Sequence, residues 1–306
     1  MSHRRLLVTG GAGFIGSHLV DSLLADGYHV RVLDDLSTGR MANLDARAEL
    51  IVGDVSDPAA VARAVSGCLG VFHLAAVASV ARSNEDWLGA HRINQSATVA
   101  VLDAARGAGQ LPVVYASAAA VYGDTGGAAA HEDMVPNPST AYGADKLGSE
   151  LHARVGSRIH GVPTLGLRFF NVYGPRQDPL SPYSGVISIF NRRLTEGAPI
   201  LLHGGGAQMR DFIHVADVVT HLRAAMHRLA AEPALSGRVL NVCTGRAVTV
   251  RNLALMMGRA RSAPPRIETA APRPGDIRYS CGQPDRATAM LRVRAGVTLE
   301  AGLTSV

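Results

Sequence analysis

Thr9-Gly10-Gly11-Ala12-Gly13-Phe14-Ile15-Gly16 is the stretch on which the fold turns. An apolar run at residues 5–9 leads into it, and an amphipathic stretch at 15–25 follows. It therefore reads as strand, glycine turn and helix, with G-x-x-G-x-x-G in the turn. Glycines keep such a turn tight and let backbone approach a ligand. The helix start offers free N–H groups and the positive end of its dipole to a pyrophosphate. Outward from this point, strands are predicted at 29–33, 49–52, 70–74, 112–117 and 163–168, and helices at 58–64, 86–106 and 142–160. Regular strand–helix alternation argues for an α/β chain, a Rossmann-type doubly wound parallel sheet covered on both faces. Beyond Asn171 the alternation breaks down, and Gly and Pro become frequent. A late strand at 238–243 is expected to return to the sheet. Residues 1–170, with 205–245 returning, are thus read as the dinucleotide-binding domain. Residues 171–204 and 246–306 are read as a smaller α+β substrate lobe.

Composition narrows the classes. The 306 residues are 47% hydrophobic and 18% charged, with net charge +5. Arginines run no longer than pairs such as Arg192-Arg193, so no basic stripe for nucleic acid is present. Cys68, Cys243 and Cys281 are too scattered for a disulfide framework or a zinc spacing, so no metal site is expected. That usage fits a reducing cytoplasm. The apolar run Leu6-Leu7-Val8 is too short for a leader, and no stretch approaches a membrane span.

Asp34-Asp35 closes the second predicted strand, about 20 residues past the glycine turn, where a carboxylate can accept both ribose hydroxyls of an adenosine. It would repel a 2′-phosphate, so NAD is favoured over NADP, although Arg40 lies near enough to bear on that choice. Asp54, after the third strand, can meet the adenine amino group. Tyr142 and Lys146 are four residues apart, on one face of a helix. A free phenol titrates near pH 10, and a neighbouring ammonium favours its phenolate, which tunes Tyr142 to take a hydroxyl proton.

The runs TGGAGFIGSH, DDLSTG, GDVSD, HLAAVASVARS, YASAAAVYG, YGADK, LRFFNVYGPRQ, RDFIHVADV and RPGDI, in this order, resemble the extended short-chain dehydrogenase/reductase family. Within it the chain is most similar to UDP-glucose and UDP-N-acetylglucosamine 4-epimerases. The resemblance implies NAD at Gly10, Gly13, Phe14, Ile15 and Gly16 (phosphates), at Asp34, Asp35, Ser37 and Gly39 (ribose), and at Asp54 and Val55 (adenine). Leu74, Ala75, Ala76, Asn94, Ser117, Tyr142 and Lys146 complete the nicotinamide end. It implies a UDP-sugar held by Ser79, Asn171, Arg210, Arg273 and Asp276, with Gly185, Val186, Phe190, Leu201 and His203 around the uridine. It further implies a homodimer through helices 86–106 and 142–160, and a place in polysaccharide precursor supply.

Two features bear on the reaction. Relatives carry Ser or Thr where this chain has Ala118, and that hydroxyl relays the proton between sugar O4 and the tyrosine. Ser117 is adjacent but should point to the opposite face of its strand. The site reads first as intact apart from a serine-to-alanine replacement. A tyrosine acting alone and an NAD-binding relative without turnover are the alternatives. Dehydratases of the family place an Asp-Glu pair before Val-Tyr-Gly, and decarboxylases a glutamate. Ala119 and Ala120 supply neither, which disfavours both. Ser280 falls at the family's gate beside the sugar, and a small residue there leaves room for an N-acetyl group; after a one-residue shift Tyr279 would take that place.

Overall fold

In a parallel sheet covered on both sides, successive residues of a strand must satisfy two different cores. The computed structural model, which describes residues 4–178, 185–261, 264–272 and 277–306, has this arrangement. The first half reads β1 (Arg5–Thr9), α1 (Phe14–Ala25), β2 (His29–Asp34), β3 (Glu49–Val52), α2 (Pro58–Val65), β4 (Val71–His73), α3 (Val80–Glu85), α4 (Trp87–His91), α5 (Ala97–Gly107), β5 (Val113–Ala118), α6 (Ala141–His160) and β6 (Thr164–Phe169). The rest reads β7 (Asn171–Tyr173), α7 (Val186–Thr195), β8 (Ile200–His203), β9 (Met209–His214), α8 (Val215–Ala231), β10 (Arg238–Val242), β11 (Ala247–Thr249), α9 (Val250–Ala260), β12 (Ile267–Ala270), β13 (Tyr279–Ser280), α10 (Asp285–Leu291) and α11 (Leu299–Leu303).

Seven parallel strands in the order β10-β6-β5-β4-β1-β2-β3 form the main sheet. In β1, Leu6 and Val8 face a core built with Leu19 and Val20 of α1 and Leu222 of α8. Leu7 faces the other, with Val61 of α2, Val101 of α5 and Ala153 of α6. The order reverses between β1 and β4, and the crevice at their carboxyl ends is where such sheets bind ligands.

The second lobe differs in its limits from the sequence reading. β9 does not return to the main sheet; it pairs with β7, β11 and β13. The edge beside β6 is already taken by β10, so the return begins at α8, which packs on α1. Ala287 and Leu291 of α10 also enter the main core rather than the lobe's own. That smaller core joins Tyr173, Ile187, Ile200, Leu202, Phe212 and Leu253.

The helix predicted at 86–106 is interrupted. One π turn, Arg92–Ser96, separates α4 from α5. The Asn94 side chain explains the break, since it accepts from the Val77 N–H at 2.8 Å and donates to the Val77 carbonyl at 3.3 Å. The Asn94 carbonyl is then met by the hydroxyls of Thr98 and Ser149, at 2.9 and 3.0 Å.

Candidate active site

The crevice begins at the glycine turn. Gly10 has φ +69°, and a Cβ there would lie 2.7 Å from the Ala75 nitrogen. A Cβ on Gly16 would lie 2.1 Å from the Gly10 carbonyl oxygen, so only glycine lets α1 start this close to the turn. Gly13 caps α1 without any side-chain acceptor, leaving the first-turn N–H groups around Phe14 and Ile15 for an anion. This cradle fits a dinucleotide pyrophosphate.

At the end of β2 the Asp34 carboxylate accepts from the Ala12 and Leu36 N–H groups, each at 2.9 Å. Burial raises its pKa, and the two backbone donors partly offset this. Gly39 is pressed against that carboxylate. Asp35 is exposed and accepts from the Ser37 N–H and hydroxyl. Asp54 is exposed and holds the Ser56 N–H, with Val55 buried beside it. The Arg40 guanidinium is on Asp178, at 2.8 Å.

A buried polar network lies behind residues 74–77 and was not legible beforehand. The Thr9 hydroxyl accepts from the Leu74 and Ala75 N–H groups, both at 3.2 Å, and lies 2.8 Å from His73 Nδ1. His73 Nε2 lies 3.1 Å from Thr98 Oγ1. Because Thr98 donates to the Asn94 carbonyl, His73 must donate to Thr98 and accept from Thr9. Burial, with the Lys146 charge adding to it, pushes the His73 pKa down to about 3, which keeps the ring neutral. The network fixes residues 74–77 through Thr9 at one end and Asn94 at the other. A histidine inside an otherwise apolar strand was the available signal.

Thr140 caps α6 by accepting from the Gly143 N–H at 3.1 Å, and so sets Tyr142 in the first turn. Lys146 Nζ lies 5.7 Å from the Tyr142 ring centre and donates to the Ala116 carbonyl at 3.0 Å. Burial pushes Tyr142 up to about 12. Burial brings Lys146 down to about 8, while Asp145 and Glu150 pull it back up. Asp145, itself buried, is bonded to His91 Nδ1 at 2.7 Å.

The Ser117 hydroxyl donates to Glu150 Oε1 at 2.5 Å, and Glu150 also receives Arg168 through two bonds of 2.8 and 2.6 Å. The Ser117 side chain therefore belongs to a buried ion pair. Ala118 remains extended, with φ −146° and ψ 150°, so no bulge turns Ser117 round.

Of the residues expected to hold the substrate, Ser79 is buried and caps α3, accepting from the Arg82 N–H. Asn171 donates to the Asp211 carbonyl at 3.1 Å, and Arg210 to the Met209 carbonyl at 2.9 Å. Ser280 pairs in register with Arg210, and Tyr279 with Met209. Gly185 and Val186 open α7. Leu201 and His203 share the outward face of β8, while Ile200 and Leu202 fill the core. Phe190 departs from its expected role: at 3% exposure it is a member of that core. Arg273 and Asp276 lie outside the described residues. Among the described residues no cluster of three His, Cys, Asp or Glu side chains is placed to hold a metal.

Comparison with known proteins agrees with this geometry. Residues 6–243 match the family described as NAD dependent epimerase/dehydratase. A UDP-glucose 4-epimerase of Mycolicibacterium smegmatis is 38% identical over 98% of this chain and 96% of its own. The structure of a UDP-N-acetylglucosamine 4-epimerase from Methanobrevibacter ruminantium, in complex with UDP-N-acetylmuramic acid, superposes with TM-score 0.93 at 30% identity, covering 100% of this chain and 97% of its own. A Thermus thermophilus UDP-glucose 4-epimerase complexed with NAD gives TM-score 0.89 at 36% identity, covering 98% and 97%.

Proposed function

The chain belongs to the NAD dependent epimerase/dehydratase family, and we propose that within it the protein is a 4-epimerase of UDP-hexoses that accepts UDP-GlcNAc and UDP-GalNAc alongside UDP-Glc and UDP-Gal. The observation that carries the reading is the Tyr142–Lys146 pair beside a turn at residues 119–120 that offers only methyl groups. Such a site can remove and return the proton of a sugar hydroxyl, but it has no carboxylate there with which to divert a keto intermediate.

Bound NAD supplies a hydride acceptor at the sugar C4 that becomes the donor for the return step. Tyr142 takes the O4 proton as C4 is oxidised. Burial disfavours the ionised phenol of Tyr142, and the positive charge of Lys146, 5.7 Å from the ring centre, opposes that penalty. The 4-keto sugar turns over, and Tyr142 returns the proton as the opposite face is reduced. Ala118 offers no hydroxyl to relay that proton, which costs a factor of roughly 10² to 10⁴.

Ser280 supports the wider substrate range. The β13–β9 register sets it beside Arg210, a residue read as holding the UDP moiety, and its small side chain leaves room for an N-acetyl group. Exchanging Ser280→Tyr should suppress turnover of UDP-GlcNAc while UDP-Glc is retained. Equal loss on both substrates would refute the gate assignment.

The assembly we infer is a homodimer. Val99 of α5 and Leu151, Val155 and Ile159 of α6 form an exposed apolar stripe, with Ile159 73% accessible. A two-fold axis would pair this stripe with itself. The three cysteines are free and buried, which supports a cytoplasmic location, and no described helix is long and apolar enough to cross a membrane.

A further inference from the structure

We propose that residues 175–178 form a clasp across the adenosine end of the dinucleotide groove and slow the release of NAD. This rests on the assignment of the glycine turn and Asp34 to the cofactor, and goes beyond the epimerase reading.

The segment leaves β7 in the second lobe and crosses back onto the first. The His18 ring on α1 donates through Nε2 to the Pro175 carbonyl at 2.9 Å. Arg176 Nη2 meets Asp21, one turn further along α1, at 2.7 Å, and Nη1 reaches the Asn43 carbonyl at 3.4 Å. Asp178 accepts from Arg40, the residue after Gly39 in the loop that closes on Asp34. Gln177 points the other way and accepts from Ser188 of α7 at 2.7 Å, tying the same four residues to the second lobe.

The backbone of these two segments is unusual, as it also is at Gln110 and Arg292. Arg176 and Leu36 are non-glycine residues held at φ 65° and 59°, a conformation that persists only where surrounding contacts enforce it. Leu36 lies in the ribose loop and Arg176 in the clasp. The loop at 35–43 is otherwise anchored through Ala12, whose carbonyl accepts from the Arg40 N–H and from Asn43 Nδ2. With Arg40 and Arg176 engaged, this loop cannot swing off the groove without breaking contacts to both lobes.

The chemistry gives such a clasp a purpose. An epimerase must return the same hydride to the same sugar, so a cofactor lost between the two transfers ends the cycle with a keto sugar. The partners are partly exposed ion pairs, with Arg40 at 59% and Asp178 at 37%, so each is weak and screened by salt. Their effect should fall on the rate of opening and not on the fold.

The test loads the full chain with isotope-labelled NAD and follows release into an excess of unlabelled NAD. Arg40→Asp and Arg176→Ala together should speed release on the order of tenfold, and higher ionic strength should speed the unaltered protein more than the variant. Exchanging the pair, with Arg40→Asp and Asp178→Arg, should restore slow release. Melting temperatures without cofactor, unchanged within about 2 °C, show that the variants fold. Release rates that match the unaltered protein overturn the proposal, as does fast release that the exchanged pair fails to restore. Failure of the epimerase reading would look different: slow NAD release with no C4 epimer formed.

Discussion

The Ser117 hydroxyl donates to Glu150 at 2.5 Å, on the side of β5 turned towards α6, while Ala118 next to it faces the other way. Ser117 is thus a support for the Glu150–Arg168 pair and not a substitute relay. Replacing Ser117→Ala should lower stability by about 1–3 kcal/mol, since an acceptor of a buried carboxylate loses its donor. Turnover per folded molecule should stay within a factor of about 3. Denaturant titration and a turnover assay on the same preparation check both parts.

The ion pair itself should be costly to break. Glu150 and Arg168 have side chains only 2% and 3% exposed, and the Arg168 guanidinium also stacks 4.7 Å from the Tyr122 ring centre. Arg168→Met leaves a buried carboxylate without its partner, and should destabilise by about 3–5 kcal/mol. Changing both partners to apolar residues should recover most of that loss, as a double-mutant cycle would show.

Lys146 costs the folded protein stability. Burial, offset in part by Asp145 and Glu150, lowers it to about 8, whereas an unfolded lysine titrates near 10.4. The unfolded chain therefore binds more protons between these values, and the penalty present at pH 7 is relieved as pH rises through that window. Lys146→Met should stabilise the cofactor-free protein by roughly 1–3 kcal/mol at pH 7, with a smaller gain near pH 10. It should also abolish turnover. Urea midpoints at the two pH values test the sign.

The apolar stripe on α5 and α6 predicts assembly. Val155→Asp with Ile159→Asp should yield a monomer by sedimentation at micromolar concentration, because two charges per subunit would be buried at a self-complementary interface. Both side chains are exposed in the single chain, at 48% and 73%, so the fold should survive.

Much of this was legible in the sequence because it is local. The glycine turn, Asp34 and the Tyr142–Lys146 spacing each announce themselves within a few residues, and β1, β3 and α6 fall within a residue of their predicted limits. What escaped depends on tertiary contacts. The π turn at Arg92–Ser96 follows from an Asn94 clamp on Val77, seventeen residues away, which no helical periodicity reveals. β9 joins the smaller sheet because β10 takes the main sheet's edge, a competition between distant segments. The His73 network and the Arg40–Asp178 clasp join residues whose separation in sequence hides them. Phe190 is assigned to the uridine pocket only through the family resemblance, and which side of α7 meets the core is set by tertiary packing.

Whether the protein is a UDP-hexose 4-epimerase is decided by following C4 epimerisation by NMR, with no NAD added, for this chain and its Ala118→Ser variant on UDP-GlcNAc and UDP-Glc. The serine variant should interconvert the C4 epimers, and the Ala118 form should be slower by a factor of roughly 10² to 10⁴. If neither form turns over any UDP-hexose while NAD stays bound, the epimerase assignment is wrong, and a different nucleotide sugar or a silent binding role takes its place.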